Sequence, residues 1–186
     1  MATTTRFVTD EELLQAPRDG RKYERVDGEI RVSPAGFRHE GVGMALAARL
    51  WVFVTERRLG HVVGSSAGFR WPGRKVDRPD SVRSPDVSFV AAGRFPDERW
   101  PVGFAELAPD LAVEVLCPND NSRDVLEKVG EYLDAGSRLV WVIDPEARTA
   151  AVHRSLTDVR VLREADALEG EDVVPGFACR LADVLG

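Results

Sequence analysis

Two carboxylates occupy positions that packing alone does not explain. Glu114 interrupts the run LAVEVL, Leu111 to Leu116, which is apolar enough to be a central strand buried on both faces. An ionised glutamate there is costly unless a cation or hydrogen-bond donors meet it, because an isolated carboxylate in low dielectric protonates instead. Asp86 stands at the mouth of a second strand, SPDVSFV, in which alternation sends Val87 and Phe89 to one side and Asp86 and Ser88 to the other. Asp80, the aspartate of the neighbouring Pro-Asp pair, precedes Ser81 in a turn context and reads as a solvated loop residue. Two carboxylates on neighbouring strands make a hard-oxygen cluster of the kind magnesium takes, with water and a substrate phosphate completing the octahedron. A lysine beside them offsets charge and orients an attacking water. The chain has only three lysines against 22 arginines, and Lys128 lies on the margin of an apolar helical stripe, beside Asp124 and Glu131, from which it can reach the sheet.

Each of these residues also has a plainer reading. Asp86 can be a strand-start residue that accepts backbone hydrogen bonds, Glu114 half of a buried ion pair with an arginine, and Lys128 a snorkelling helix-margin lysine. Glu24 and Glu29 fall on one face of a hairpin, where Glu29 is the candidate for a further carboxylate and Glu24 is explained by a cross-strand pair with Arg31. His39, after the Ser33-Pro34 turn, either meets a phosphate or bonds the start of a long helix. His61 and His153 have no carboxylate or cysteine at ligand spacing and read as structural.

The elements that must hold these side chains follow from local pattern. Thr9 and Glu12 form a capping box ahead of a short helix that ends before Pro17 to Gly20. KYERVDGEIRV is a hairpin with Asp27-Gly28 as its turn. Val42, Leu46, Leu50 and Phe53 recur at helical spacing, with Met44 and Trp51 beside them and Gly60 as the stop. HVVGSSAGFRW reads as strand, bend and strand, and Pro72 to Ser84 as a polar connection. A helix runs from Ser122 to about Ala135, with Val125, Leu126, Val129, Tyr132 and Leu133 as its apolar stripe. Two strands, RLVWVID and TAAVHRS, meet at Asp144-Pro145. The expectation is one α+β domain over residues 1–186, a mixed sheet flanked by helices, with Leu111 to Asp144 forming a strand-helix-strand unit.

Composition narrows the function. With 186 residues, 44% of them hydrophobic, the chain can build a full core without staples, and Cys117 and Cys179 lie outside disulfide or zinc-site spacing. They read as free buried thiols in a reducing cytoplasm. No signal-peptide pattern and no long apolar run is present, which predicts a soluble cytosolic protein. A net charge of −6 argues against coating nucleic acid by bulk electrostatics, though not against a local groove. The arginine clusters at Arg18 to Arg25, Arg57-Arg58 and Arg70 to Arg78 read as solvated faces. The long helix, with Trp51 and Phe53 among small residues, suits a homodimer interface as readily as a core.

Four linked segments, YERVDGEIRVSP with a following histidine, SPDVSFV, LAVEVLCPND and DVLEKVGEYLDAGSRLVWVIDP, carry a resemblance. In this order they resemble the bacterial Uma-two family of restriction endonuclease-like proteins, a branch of the PD-(D/E)XK nuclease fold, over roughly residues 10–155. The resemblance implies a restriction-endonuclease-like sheet and a magnesium- or manganese-dependent endonuclease acting on DNA. Asp86 and Glu114 would be metal ligands, the Val115 carbonyl a further ligand, and Lys128 the lysine that positions the water. The sequence departs from the family pattern at Leu116, where the nuclease lysine normally stands, at Cys117 in place of serine, and at Ser137 in place of valine. The alternative is a catalytically weak or inactive module that keeps the fold as a nucleic-acid or protein interaction surface. Asp86, Glu114 and Lys128 are expected to converge at one end of the sheet. A metal-free site of two carboxylates implies like-charge repulsion, so Asp86→Asn is expected to leave the metal-free protein at least as stable as the parent.

Overall fold

The structure, a computed structural model, describes residues 7–17, 19, 21–34, 36–73, 80–118 and 120–186. Arg18 and Gly20, and the part of the third arginine cluster at 74–79 that includes Lys75, lie outside the described residues.

The predicted capping box starts α1 (Asp10–Leu14): the Thr9 hydroxyl accepts the Glu12 amide at 3.2 Å, and the Glu12 carboxylate accepts the Thr9 amide at 3.0 Å. β1 (Arg21–Val26) and β2 (Glu29–Pro34) form the predicted hairpin, turning through Asp27 and Gly28, both at positive φ. α2 (Phe37–Arg57) buries Val42, Leu46, Leu50 and Val54. Phe53 packs edge-on against Phe177, whereas Met44 and Trp51, expected beside the stripe, are exposed. The helix ends through Arg58 in the left-handed region, not through Gly60 as expected. Gly60 serves a close approach instead, since a Cβ there would stand 2.1 Å from the Val90 carbonyl oxygen.

The chain continues through β3 (Gly60–Gly64), β4 (Phe69–Trp71), β5 (Ser81–Arg83), β6 (Val87–Ala91) and β7 (Leu111–Val115). Next come α3 (Ser122–Asp134), β8 (Leu139–Asp144), β9 (Thr149–His153), β10 (Val159–Arg163), β11 (Ala167–Glu169), β12 (Ala178–Arg180) and α4 (Ala182–Leu185). β5 corrects the expectation of a polar connection between Pro72 and Ser84. It pairs with both β1 and β4 and is buried throughout, because its polar side chains find partners inside the protein.

Among the described residues the main sheet has the order β10-β9-β8-β7-β6-β3, with only β7 and β8 parallel. α3 is the crossover between them, as the strand-helix-strand reading requires. Val87, Phe89, Leu111, Val113, Leu139 and Trp141 face α2 and the C-terminal segment in one core. On the opposite face Val90, Ala112, Val140 and Val142 pack with Val129 and Tyr132 of α3 and with Phe69 and Trp71. The second sheet, β2-β1-β5-β4, therefore docks against α3, where Trp71 meets Tyr132 edge-on with ring centroids 5.8 Å apart. The fold is mixed α+β, as expected. No helix among the described residues is long and apolar enough to cross a membrane.

Candidate active site

The antiparallel register of β6 and β7 pairs Val87 with Val113, so Asp86, one residue ahead of β6, comes opposite Glu114. Alternation points both carboxylates to the face that carries α3. Asp86 is held there by two bonds to β7: its amide donates to the Val113 carbonyl at 2.9 Å, and its Oδ2 accepts the Val115 amide at 2.8 Å. Both carboxylates open on a cleft of about 820 Å³, also lined by Lys22, His39, Ser65, Cys117 and Lys128.

Asp86 Oδ1 accepts a bond from Lys22 Nζ at 2.9 Å and lies 3.3 Å from His39 Nε2. Burial alone raises its carboxyl, but the His39 bond and the Lys22 charge outweigh that and hold it well below the usual aspartate range. The contact with Asp86 raises His39 in turn. The other ring nitrogen of His39 lies 3.3 Å from Cys117 Sγ, and burial pushes the Cys117 thiol up. His39 thus serves the cleft and not the helix start. Cys117 is half-buried and Cys179 buried, and neither forms a disulfide.

Glu114 accepts Lys128 Nζ at 3.0 Å on Oε2 and the Tyr132 hydroxyl at 2.6 Å on Oε1. Its partners are therefore a lysine and a phenol one turn apart on α3, not an arginine. Lys128 also lies 3.4 Å from Glu24 Oε2. Burial works against the Lys128 charge, but Glu114 and Glu24 more than restore it and raise the ammonium. Tyr132 is raised well above an ordinary phenol, first by burial and then by the same two carboxylates, so it stays a donor.

Glu24, assigned from sequence to a wet cross-strand pair, is instead 2% exposed. It accepts Arg83 Nη1 at 3.1 Å and the Ser84 amide at 2.8 Å, while Arg83 Nε donates to Glu131 at 2.7 Å. Burial pushes Glu24 up, but Lys128, Lys22 and Arg83 hold it down at about 2. Docking of the small sheet on α3 covers this hairpin face, a tertiary fact no local pattern carries. Glu29, the preferred hairpin carboxylate, is exposed next to the turn and does not line the cleft.

Lys22 was also missed. Alternation places it on the Glu24 side of β1, and the scarcity of lysine was the signal available: two of the three lysines meet in this cleft. The arginine clusters are not simply solvated faces either. Arg25 is 3% exposed and bonds the Asp80 and Val8 carbonyls, and Arg57 stacks 3.9 Å over the Phe53 ring. Asp80, as expected, is an exposed residue ahead of β5. His61 bonds Glu98 and Trp100 away from the cleft, and His153 is buried in β9.

The donor set fits magnesium or manganese. Asp86 Oδ1 already takes two partners, but Oδ2 and both Glu114 oxygens take one each, and a carboxylate oxygen offers about two acceptor sites. Two hard carboxylates, with other positions left to water and phosphate, match the way magnesium is usually held. Among the described residues no three His, Cys, Asp or Glu side chains gather into a cage of their own. The expected like-charge repulsion is offset by cations. Glu24, Asp86, Glu114 and Glu131 are met by Lys22, Lys128, Arg83 and His39, so the cluster is close to neutral without an ion.

A crystal structure of "a putative nuclease belonging to DUF820" from Anabaena variabilis ATCC 29413 is similar over 96% of this chain and 97% of that one, with a TM-score of 0.78 and 20% identity. That likeness shows a shared fold. No curated protein matches the chain. Residues 10–182 match the Uma2 family, described as "Putative restriction endonuclease", and the chain belongs to that family.

Proposed function

We propose that the cleft is a metal-assisted phosphodiesterase site and that the substrate is DNA. The observation that carries this reading is the opposition of Asp86 and Glu114 on one face, each capped by an ammonium, at the end of a sheet in a nuclease-like family. Asp86 and Glu114 would hold a magnesium or manganese ion, which would supply Lewis-acid stabilisation of the phosphoryl oxygens and a more acidic water. Lys128, fixed by Glu114 and Glu24, directs its charge into the cleft, where it orients the attacking water and offsets charge on the five-coordinate phosphorus. Tyr132 keeps Glu114 from rotating away. Pairing of two copies, for which the sequence suits the long helix as readily as for a core, would use Met44, Trp51 and Val52, which α2 leaves exposed.

The test is cleavage of plasmid and single-stranded DNA, with RNA alongside, in magnesium or manganese and in chelator. Activity that disappears with chelator and in Asp86→Ala and Glu114→Ala supports the reading. Activity indifferent to Glu114 overturns it. One observation favours a second reading, a non-catalytic module of the same fold: Lys22 and Lys128 already neutralise both carboxylates. Nucleic-acid binding without cleavage under any metal is its expected result.

A further inference from the structure

Lys22 and Lys128 are both cations on the proposed ligands, but they are held differently. Lys128 is bracketed by two carboxylates, Glu114 and Glu24, and is carried by α3. Lys22 comes from the small sheet and, among the described residues, has one ion-pair contact, to Asp86 Oδ1. That oxygen is already shared with His39, which fills its acceptor sites, while Oδ2 accepts the Val115 amide and keeps one site. A cation shared between Asp86 and Glu114 would approach through the space where the Lys22 ammonium stands. Lys22 lines the same cleft as Asp86 and Glu114, and its Nζ stands 2.9 Å from Asp86 Oδ1. The Lys22 side chain is 13% exposed, against 3% for Asp86.

We propose that Lys22 is a built-in counter-ion that holds the place of the divalent cation on Asp86 and is displaced into the cleft when the cation binds. The proposal rests on the metal-site reading of Asp86 and Glu114. Elementary electrostatics requires the exchange to cost something, since an ammonium and a divalent ion a few ångströms apart repel strongly in a site of reduced dielectric. Lys22 therefore sets the cation affinity low. It also leaves a mobile ammonium facing the substrate once the exchange has occurred. The role differs from that of Lys128, whose two carboxylate partners keep it in place whether or not an ion is present.

Titration calorimetry with manganese alone, on the full chain, tests this without any turnover. Lys22→Met removes the competitor and is expected to bind manganese at least tenfold tighter than the parent, a gain of about 1.4 kcal/mol. Lys22→Gln, which keeps a polar group, should show the same direction and serves if the methionine variant folds poorly. Asp86→Asn should lose the binding. If manganese binding depends on Asp86 but neither Lys22 variant tightens it, displacement is wrong and the metal site stands. If binding is absent in the parent and in both Lys22 variants, or is indifferent to Asp86, the metal-site reading itself fails and takes the counter-ion role with it.

Discussion

Asp86 is clamped to β7 on both sides of Glu114: its amide reaches the Val113 carbonyl at 2.9 Å and its carboxylate accepts the Val115 amide at 2.8 Å. Directly opposed residues of an antiparallel pair have Cβ atoms about 4.5 to 5.5 Å apart, near enough for their carboxylates to share one ion. The clamp fixes that separation before any ligand arrives, so Asp86 is both a backbone acceptor and a candidate ligand.

Cleavage should therefore depend on three side chains unequally. Asp86→Ala and Glu114→Ala are expected to abolish magnesium-dependent cleavage of DNA, and Lys128→Ala to lower the rate about 10²- to 10⁴-fold, as for a group that positions or activates water. Rates measured with saturating metal check this, and a Lys128→Ala variant as fast as the parent removes Lys128 from the chemistry.

Metal should stabilise the folded chain by linkage. For a Kd of about 1 mM and 10 mM magnesium the gain is about 1.4 kcal/mol. At about 2 to 4 °C per kcal/mol for a domain of this size, the melting temperature rises by about 3 to 6 °C. Sodium chloride at matched ionic strength gives the baseline, and the shift should vanish in Asp86→Asn.

Without metal, Asp86→Asn should now destabilise the protein, contrary to what a repelling carboxylate pair would give. The asparagine loses the charge that Lys22 and the Val115 amide meet, a loss of about 1.5 to 3 kcal/mol for hydrogen bonds to a charged group. Denaturant unfolding in chelator measures it, and a variant as stable as the parent contradicts the clamp.

Glu24, together with Asp86, should carry the acid limb of stability. The Glu24 carboxyl is depressed to about 2, so its contribution is present above its unfolded value near 4.5 and is lost as pH falls from there toward 2. Glu24→Gln leaves Arg83 and Lys128 short of a partner and should cost about 3 to 5 kcal/mol at neutral pH. The gap between variant and parent should narrow at low pH, whereas Glu29→Gln, at the exposed turn, should change little.

His39 should titrate above an ordinary histidine because Asp86 holds its proton. The stability it contributes is present in full below the unfolded value near 6.5 and is lost as pH rises through the higher folded value. Proton-detected titration of the imidazole is the measurement, and the upward displacement should disappear in Asp86→Asn.

Local pattern was enough for most elements that a short-range rule controls, the Gly60 stop excepted. The Thr9 capping box, the Asp27-Gly28 hairpin, the helix from Ser122 and the β7-α3-β8 crossover all follow from caps, turn residues and periodicity, which act over a few residues. The sequence alone also set Asp86, Glu114 and Lys128 apart, because a carboxylate in an apolar strand is expensive and must be met. Contacts between distant segments were beyond it. Glu24 looked wet because nothing within the hairpin says that its face is covered, and β5 looked like a loop because Arg83 finds its carboxylates 48 and 59 residues away. Lys22 is marked only by the scarcity of lysine and its place on the Glu24 side of β1, neither of which names its partner. Its meeting with Asp86, across 64 residues, depends on how the small sheet docks against α3 and the end of the main sheet. That docking is a property of packed faces, and it decided which charges share the cleft.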